Sequence, residues 1–238
     1  MGNIREEYHK WQSPSLGREF EMLVFGEAGQ PLILFPTSKS SYYQYKDQGL
    51  LETARWFLEN RKVKIYCPDS IDAFSWYDQG IDPAMRAYNQ ECYDRLILME
   101  VVPRALQETS YPKIAVAGCS FGGYHTVNFA FRHPHITGYC FSMSGIFDIR
   151  SFTDGYYDDT VYYNNPVDFI PGADDPGLWT MSIVLGAGDA DICRPQNEIL
   201  SGILAKKNIS HWLDIRANRT HDWPVWKEMF PHYLSLIR

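Results

Sequence analysis

The run Gly118-Cys119-Ser120-Phe121-Gly122-Gly123 sets a serine between two glycines in the pattern Gly-x-Ser-x-Gly. An apolar stretch over 113–117, read as a buried strand, precedes it, and the pattern over 122–132 predicts a helix after it. A serine on so sharp a strand-to-helix turn has a strained backbone, and small residues two before and two after it let strand and helix approach. Gly118 and Gly122 are those residues. The turn lifts the hydroxyl above the sheet and aims the first helical amides, notably that of Phe121, at a developing oxyanion. The chemistry this allows is nucleophilic attack on a carbonyl carbon.

A serine hydroxyl is a poor nucleophile at neutral pH, so a base must take its proton and a carboxylate must hold that base in one tautomer. In this arrangement the chain order is serine, acid, histidine. His221 fits the last place, following a predicted strand at 212–215 and a short polar loop, and preceding a predicted helix at 222–237. His211 starts a strand and His232 lies within the helix, so both read as surface or packing residues, while His125, His133 and His135 precede every acid candidate and read as structural. The acid belongs in the loop after the strand at 181–185, where Asp189 and Asp191 both lie. Spacing does not separate them, and either suits a turn or helix cap. The second oxyanion amide is expected from the loop 36–41, with Ser38 as first choice and Lys39 next.

The elements that must position these residues alternate. A hairpin is predicted over 5–25, strands at 31–35, 63–67 and 136–143, and helices at 43–60 and 196–207. The helix at 43–60 carries an apolar stripe through Leu50, Leu51, Ala54, Phe57 and Leu58. Another opens at Asp82-Pro83 with Tyr88, Leu96, Leu98, Met99 and Val102 as its apolar positions and Pro103 as a kink or a new start. The segment 147–179 is rich in Tyr, Asp, Asn, Gly and Pro without a sustained period, and reads as an excursion near the site. The alternation predicts one α/β domain over 1–238, a mostly parallel sheet with helices on both faces.

A net charge of −7, from 22 basic and 29 acidic side chains that are interspersed along the chain, favours neither nucleic acid nor an anionic membrane as partner. The first twelve residues lack the apolar core of a secretory signal, Glu6 stands where a myristoylation motif needs Ser or Thr, and no apolar run approaches membrane-spanning length. The five scattered cysteines read as free thiols in a reducing, cytoplasmic setting. No metal-ligand spacing or phosphate-binding glycine loop is present, so no cofactor is expected. Cys119, beside the nucleophile, is expected to point away from it.

Beyond the serine turn, the chain resembles the esterase family of α/β hydrolases that includes esterase D-like enzymes, feruloyl esterases and mycolyltransferases. The similar pieces are Phe35-Pro36-Thr37-Ser38, 72–76, Arg132-His133-Pro134, Ser144-Gly145, 161–166 and His221-Asp222-Trp223. The resemblance implies the α/β-hydrolase fold, a serine carboxylesterase acting on a small-molecule ester, and Asp191 rather than Asp189 as the acid, from its distance to Asn197. The family's His-Gly pair in the early loop is replaced here by Pro36-Thr37. An acyltransferase using the same triad, or a binding protein that keeps the fold without the chemistry, are the alternative readings. Trp76, Tyr77, Tyr156 and Tyr157 fall in segments above the carboxyl edge of the sheet, where they either line the substrate pocket or pack those segments down.

Overall fold

The computed structural model describes residues 4–238; the expectation that Gly2 carries no lipid lies outside them. Eight strands form one sheet: β1 (Glu6–Ser13), β2 (Arg18–Phe25), β3 (Gln30–Phe35), β4 (Val63–Pro68), β5 (Ile114–Cys119), β6 (Thr137–Met143), β7 (Ser182–Gly188) and β8 (Trp212–Arg216). Their spatial order is β1-β2-β4-β3-β5-β6-β7-β8. The hairpin strands β1 and β2 pair antiparallel, as does β2 with β4, and every other pairing is parallel. In β3, β4 and β5 every residue is buried, since strands covered on both faces have no wet side toward which to alternate.

Helices α1 (Pro83–Leu96), α2 (Val102–Thr109), α3 (Phe121–Arg132), α4 (Arg194–Lys206) and α5 (Trp223–Leu234) complete the layers. On one face, Ile33, Val116 and Leu185 pack with Leu96, Val101, Val127 and Leu200. On the other, Leu32, Leu34, Ala117 and Val184 pack with Leu50, Leu58, Trp226 and Phe230. Neighbouring strand residues thus divide between two cores, as the two-residue period requires. This is the mostly parallel sheet with helices on both faces that the alternation predicts. Among the described residues no helix is long and apolar enough to cross a membrane, and all five cysteines are free and buried.

Two helical expectations need correction. The segment 43–60 is three separate turns, Gln44–Asp47, Leu50–Thr53 and Arg55–Glu59, because Gly49 sits at φ 70° between the first two. The stripe survives the interruption, with Leu50, Leu51, Ala54 and Leu58 all buried. In α1 and beyond, Tyr88 and Met99 are exposed, and the buried face is Arg86, Ala87, Gln90, Tyr93, Asp94, Leu96, Ile97 and Val101. Polar members of that face, paired as Arg86 with Asp154 and Asp94 with His133, hide the apolar period. A π-helical turn, Ile97–Val101, then shifts the phase before Pro103 enters α2 at its second residue. The excursion 147–179 consists of single turns, including Asp159–Tyr163 and Pro166–Phe169.

Glu108 ties α2 to the sheet: Lys64 Nζ donates to it at 2.7 Å, Arg104 Nε at 2.7 Å and the Tyr66 hydroxyl at 2.9 Å. Burial works to raise its carboxyl, but these donors outweigh burial and hold it at about 2. Because the folded value lies below the unfolded value of about 4.3, the stabilisation is complete above that value and drains away as pH falls toward 2. Urea unfolding of the wild type and Glu108→Gln is expected to show a stability gap near neutrality that closes between about pH 5 and pH 2. A gap independent of pH would contradict the assignment.

Candidate active site

Four loops at the carboxyl edge of the sheet, after β3, β5, β7 and β8, converge on Ser120. Ser120 itself stands between β5 and α3 at φ 56°, ψ −121°, a conformation that a serine adopts only under constraint. Its own amide donates to Met143 O at 2.8 Å, which locks the turn to β6. A Cβ on Gly118 would lie 2.3 Å from Gly122 O, and one on Gly122 would lie 2.2 Å from Phe35 O. Both glycines are therefore dictated by backbone-to-backbone contact, the second of them pressing α3 against the end of β3.

His221 Nε2 lies 2.9 Å from Ser120 Oγ, and His221 Nδ1 lies 2.9 Å from Asp191 Oδ1. The imidazole meets the Trp226 ring edge to face at 5.1 Å, and Trp226 Nε1 donates to Ser144 Oγ at 2.8 Å. Asp191 is buried, and its Oδ1 also accepts the Cys193 amide at 2.7 Å. Burial works to raise the Asp191 carboxyl, but the His221 hydrogen bond, the neighbouring Ser144 hydroxyl and the Cys193 amide outweigh it and hold it below the usual range. It stays an anion at neutral pH, able to hold the His221 Nδ1 proton. Donor atoms of Asp191, Cys193 and His221 fall within 4.8 Å of one another. Burial pushes the Cys193 thiol up to about 12, so at neutral pH it is an uncharged filler beside the line.

Asp189, the other candidate, is exposed and its carboxylate is bonded to the loop before His221. Its Oδ1 accepts the Arg219 amide at 3.2 Å while its own amide donates to Arg216 O at 2.9 Å. It fastens the loop after β7 to the loop that delivers His221. The close approach of Gly188, where a Cβ would meet Arg219 O at 2.2 Å, belongs to the same seam.

Phe121 is the first residue of α3, so its amide has no acceptor within the helix and faces the serine turn. Ser38 sits in the loop after β3, and its Oγ accepts from the Tyr77 hydroxyl at 2.9 Å. The Tyr77 ring in turn packs on Phe121 at 5.0 Å and on Phe152 at 4.9 Å. Lys39, the second choice for an oxyanion amide, is corrected: its N–H is already committed to Asp72 Oδ2 at 3.0 Å.

Trp76 is corrected as well. It is 1% exposed, its Nε1 donates to the Tyr124 hydroxyl at 3.0 Å, and it packs in a small core with Phe121, Ile149 and Val161. It therefore has no surface to offer a substrate. Trp76→Ala is expected to cost about 3–5 kcal/mol in urea unfolding while leaving the relative rates on different esters unchanged. A selective change in ester preference with little loss of stability would return it to the pocket. Tyr156 is half-buried with its hydroxyl on Asp158, and Tyr157 is exposed with its hydroxyl on Asp168, so both brace the excursion. Tyr77 is half-buried and lies edge to face with Phe121 at the serine turn. Ser144 entered the sequence reading only within the similar piece Ser144-Gly145 and without a role; it lies at φ 56° beside Asp191.

No protein-family model matches the chain, and no curated protein does. Solved structures do. A ferulic acid esterase superposes with a TM-score of 0.80 at 16% identity, over 98% of this chain and 97% of its own. An S-formylglutathione hydrolase from Agrobacterium tumefaciens follows at 0.77 and 15%, over 98% and 94%. Another from Staphylococcus aureus stands at 0.75 and 15%, over 99% of both chains. The likeness runs the full length and establishes the α/β-hydrolase fold. At the level of fold, it bears out the resemblance to the esterase D-like and feruloyl esterase group.

Proposed function

We propose that this chain is a serine carboxylesterase, hydrolysing a small carboxylic ester through an acyl-enzyme on Ser120. The observation that carries the reading is the unbroken line from Ser120 Oγ through His221 to Asp191, each link 2.9 Å. As Oγ attacks the carbonyl carbon, His221 Nε2 takes its proton, and Asp191 steadies the imidazolium. The carbonyl oxygen, now negative, is met by the Phe121 amide and, from the loop after β3, that of Ser38. Collapse expels the alcohol, which receives the proton from His221. Water then repeats the sequence and releases the acid.

The names carried by the structural neighbours, ferulic acid esterase and S-formylglutathione hydrolase, support testing an aromatic acyl ester and a short-chain thioester first. The aromatic wall of Tyr77 and Phe152 beside the Phe121 amide suits a flat acyl group. A fluorophosphonate probe is expected to label the purified protein at Ser120, and a panel of acetyl, feruloyl and S-formyl substrates to reveal turnover. Failure of both labelling and turnover would overturn the proposal.

A further inference from the structure

Asp72 and His125 form a pair sealed inside the protein, 0% and 2% exposed, with His125 Nε2 2.8 Å from Asp72 Oδ1. Buried ionisable pairs contribute little net stability, so their positions call for a role in specifying geometry. What they join is informative. His125 lies on α3, one turn past the nucleophile, and its ring is clasped by Phe35, Tyr93, Phe121 and Tyr124 at centroid distances of 5.1–5.8 Å. Asp72 lies in the loop after β4, and its Oδ2 accepts the amide of Lys39, held at φ 51°. The carbonyl of the same Asp72 accepts the Tyr77 amide at 3.0 Å, and the Tyr77 hydroxyl reaches Ser38 Oγ. Residues 38 and 39 are therefore gripped twice by one short segment, and that segment is bolted to α3.

We propose that the Asp72–His125 pair is a positioning device that sets the spacing between the two oxyanion amides, Phe121 on α3 and Ser38 in the loop after β3. The inference deepens the serine-esterase reading and rests on it. His125 moves with the helix that carries the first amide; Asp72 holds the residue next to the second. The left-handed backbone at Lys39 is a costly conformation for a long side chain, and the Asp72 oxygen that accepts its N–H is what keeps it there. Pro36-Thr37, in place of the family's His-Gly pair, leaves the early loop without that glycine's freedom. A loop without that freedom holds its left-handed turn at Lys39 through a contact from outside it, the Asp72 side chain.

The test compares the full-length wild type with Asp72→Asn, His125→Leu and His125→Gln on p-nitrophenyl acetate and on a trifluoromethyl ketone, which forms a tetrahedral oxyanion adduct with serine. Loss of one oxyanion donor costs roughly 10²–10³ in kcat, so a displaced donor is expected to cost about 10- to 100-fold. Asp72→Asn and His125→Leu are expected to show that loss in kcat, with KM within about 3-fold and ketone affinity falling in parallel. His125→Gln, whose amide N–H can still reach Asp72, is expected to recover most of it. Folded variants with kcat and ketone affinity within about 2-fold of wild type would overturn the inference while leaving the esterase reading intact. So would His125→Gln behaving no better than His125→Leu, a comparison that also decides the matter where Asp72→Asn does not fold. A wild type that neither turns over esters nor takes the fluorophosphonate at Ser120 would instead sink the esterase reading, and this inference with it.

Discussion

Ser120→Ala is expected to lower kcat on a short activated ester by about 10⁴- to 10⁶-fold, with KM near the wild-type value and fluorophosphonate labelling abolished. The size follows from the covalent step: without Oγ, water must attack directly, and only the oxyanion amides and substrate binding remain to help it. Alanine removes no packing of consequence, since Ser120 is partly exposed and its backbone bond to Met143 O is retained. Alanine keeps the Cβ that strains the turn, so the thermal midpoint is expected to stay near the wild-type value. His221→Ala is expected to match it in kcat, and the double variant to be no worse than either single one, because nucleophile and base act as a unit. Retained turnover in Ser120→Ala would place the chemistry elsewhere in the molecule.

Asp191→Asn is expected to cost about 10⁴-fold in kcat, and Asp189→Asn no more than about 2-fold, although the two stand two residues apart. The first exchange replaces the acceptor for His221 Nδ1–H with an amide that can turn its NH₂ toward the ring and stabilise the wrong tautomer. The anion that Asp191 keeps at neutral pH is also the partner of the imidazolium formed in each half-reaction. The second exchange leaves an oxygen able to accept the Arg219 amide, so the seam between the two loops persists. Steady-state kinetics on both variants, with melting curves to verify folding, checks the pair. Equal losses, or the larger loss at 189, would reverse the assignment of the acid.

Much of the site was legible along the chain because its constraints are local. Gly118 and Gly122 lie within two residues of Ser120, and the steric reason for Gly118 is contained in the turn itself, while that for Gly122 is the close approach of Phe35 O from β3. His221 could be chosen from seven histidines because strand, loop and helix boundaries around it follow short-range patterns. Where a pattern was diluted by buried polar side chains, as on α1, the face was misjudged: Arg86, Gln90 and Asp94 are interior, and Tyr88 and Met99 are outside. Trp76 was open to either reading because an indole is equally at home lining a cleft or filling a core; its bond to Tyr124, 48 positions away, decides for the core.

The sequence by itself determined the alternation of strand and helix and the sharp turn at Ser120, since each of these is written in neighbours a few residues apart. Spacing along the chain left Asp189 and Asp191 open and the family resemblance favoured Asp191; tertiary structure brings Asp191 to His221, commits the Lys39 amide to Asp72 and ties His125 to the loop after β4. These choices join residues 30 to 53 positions apart across loops whose conformations depend on what they pack against. A hydrogen bond is lost within an ångström and a few tens of degrees, a precision that composition and periodicity do not carry.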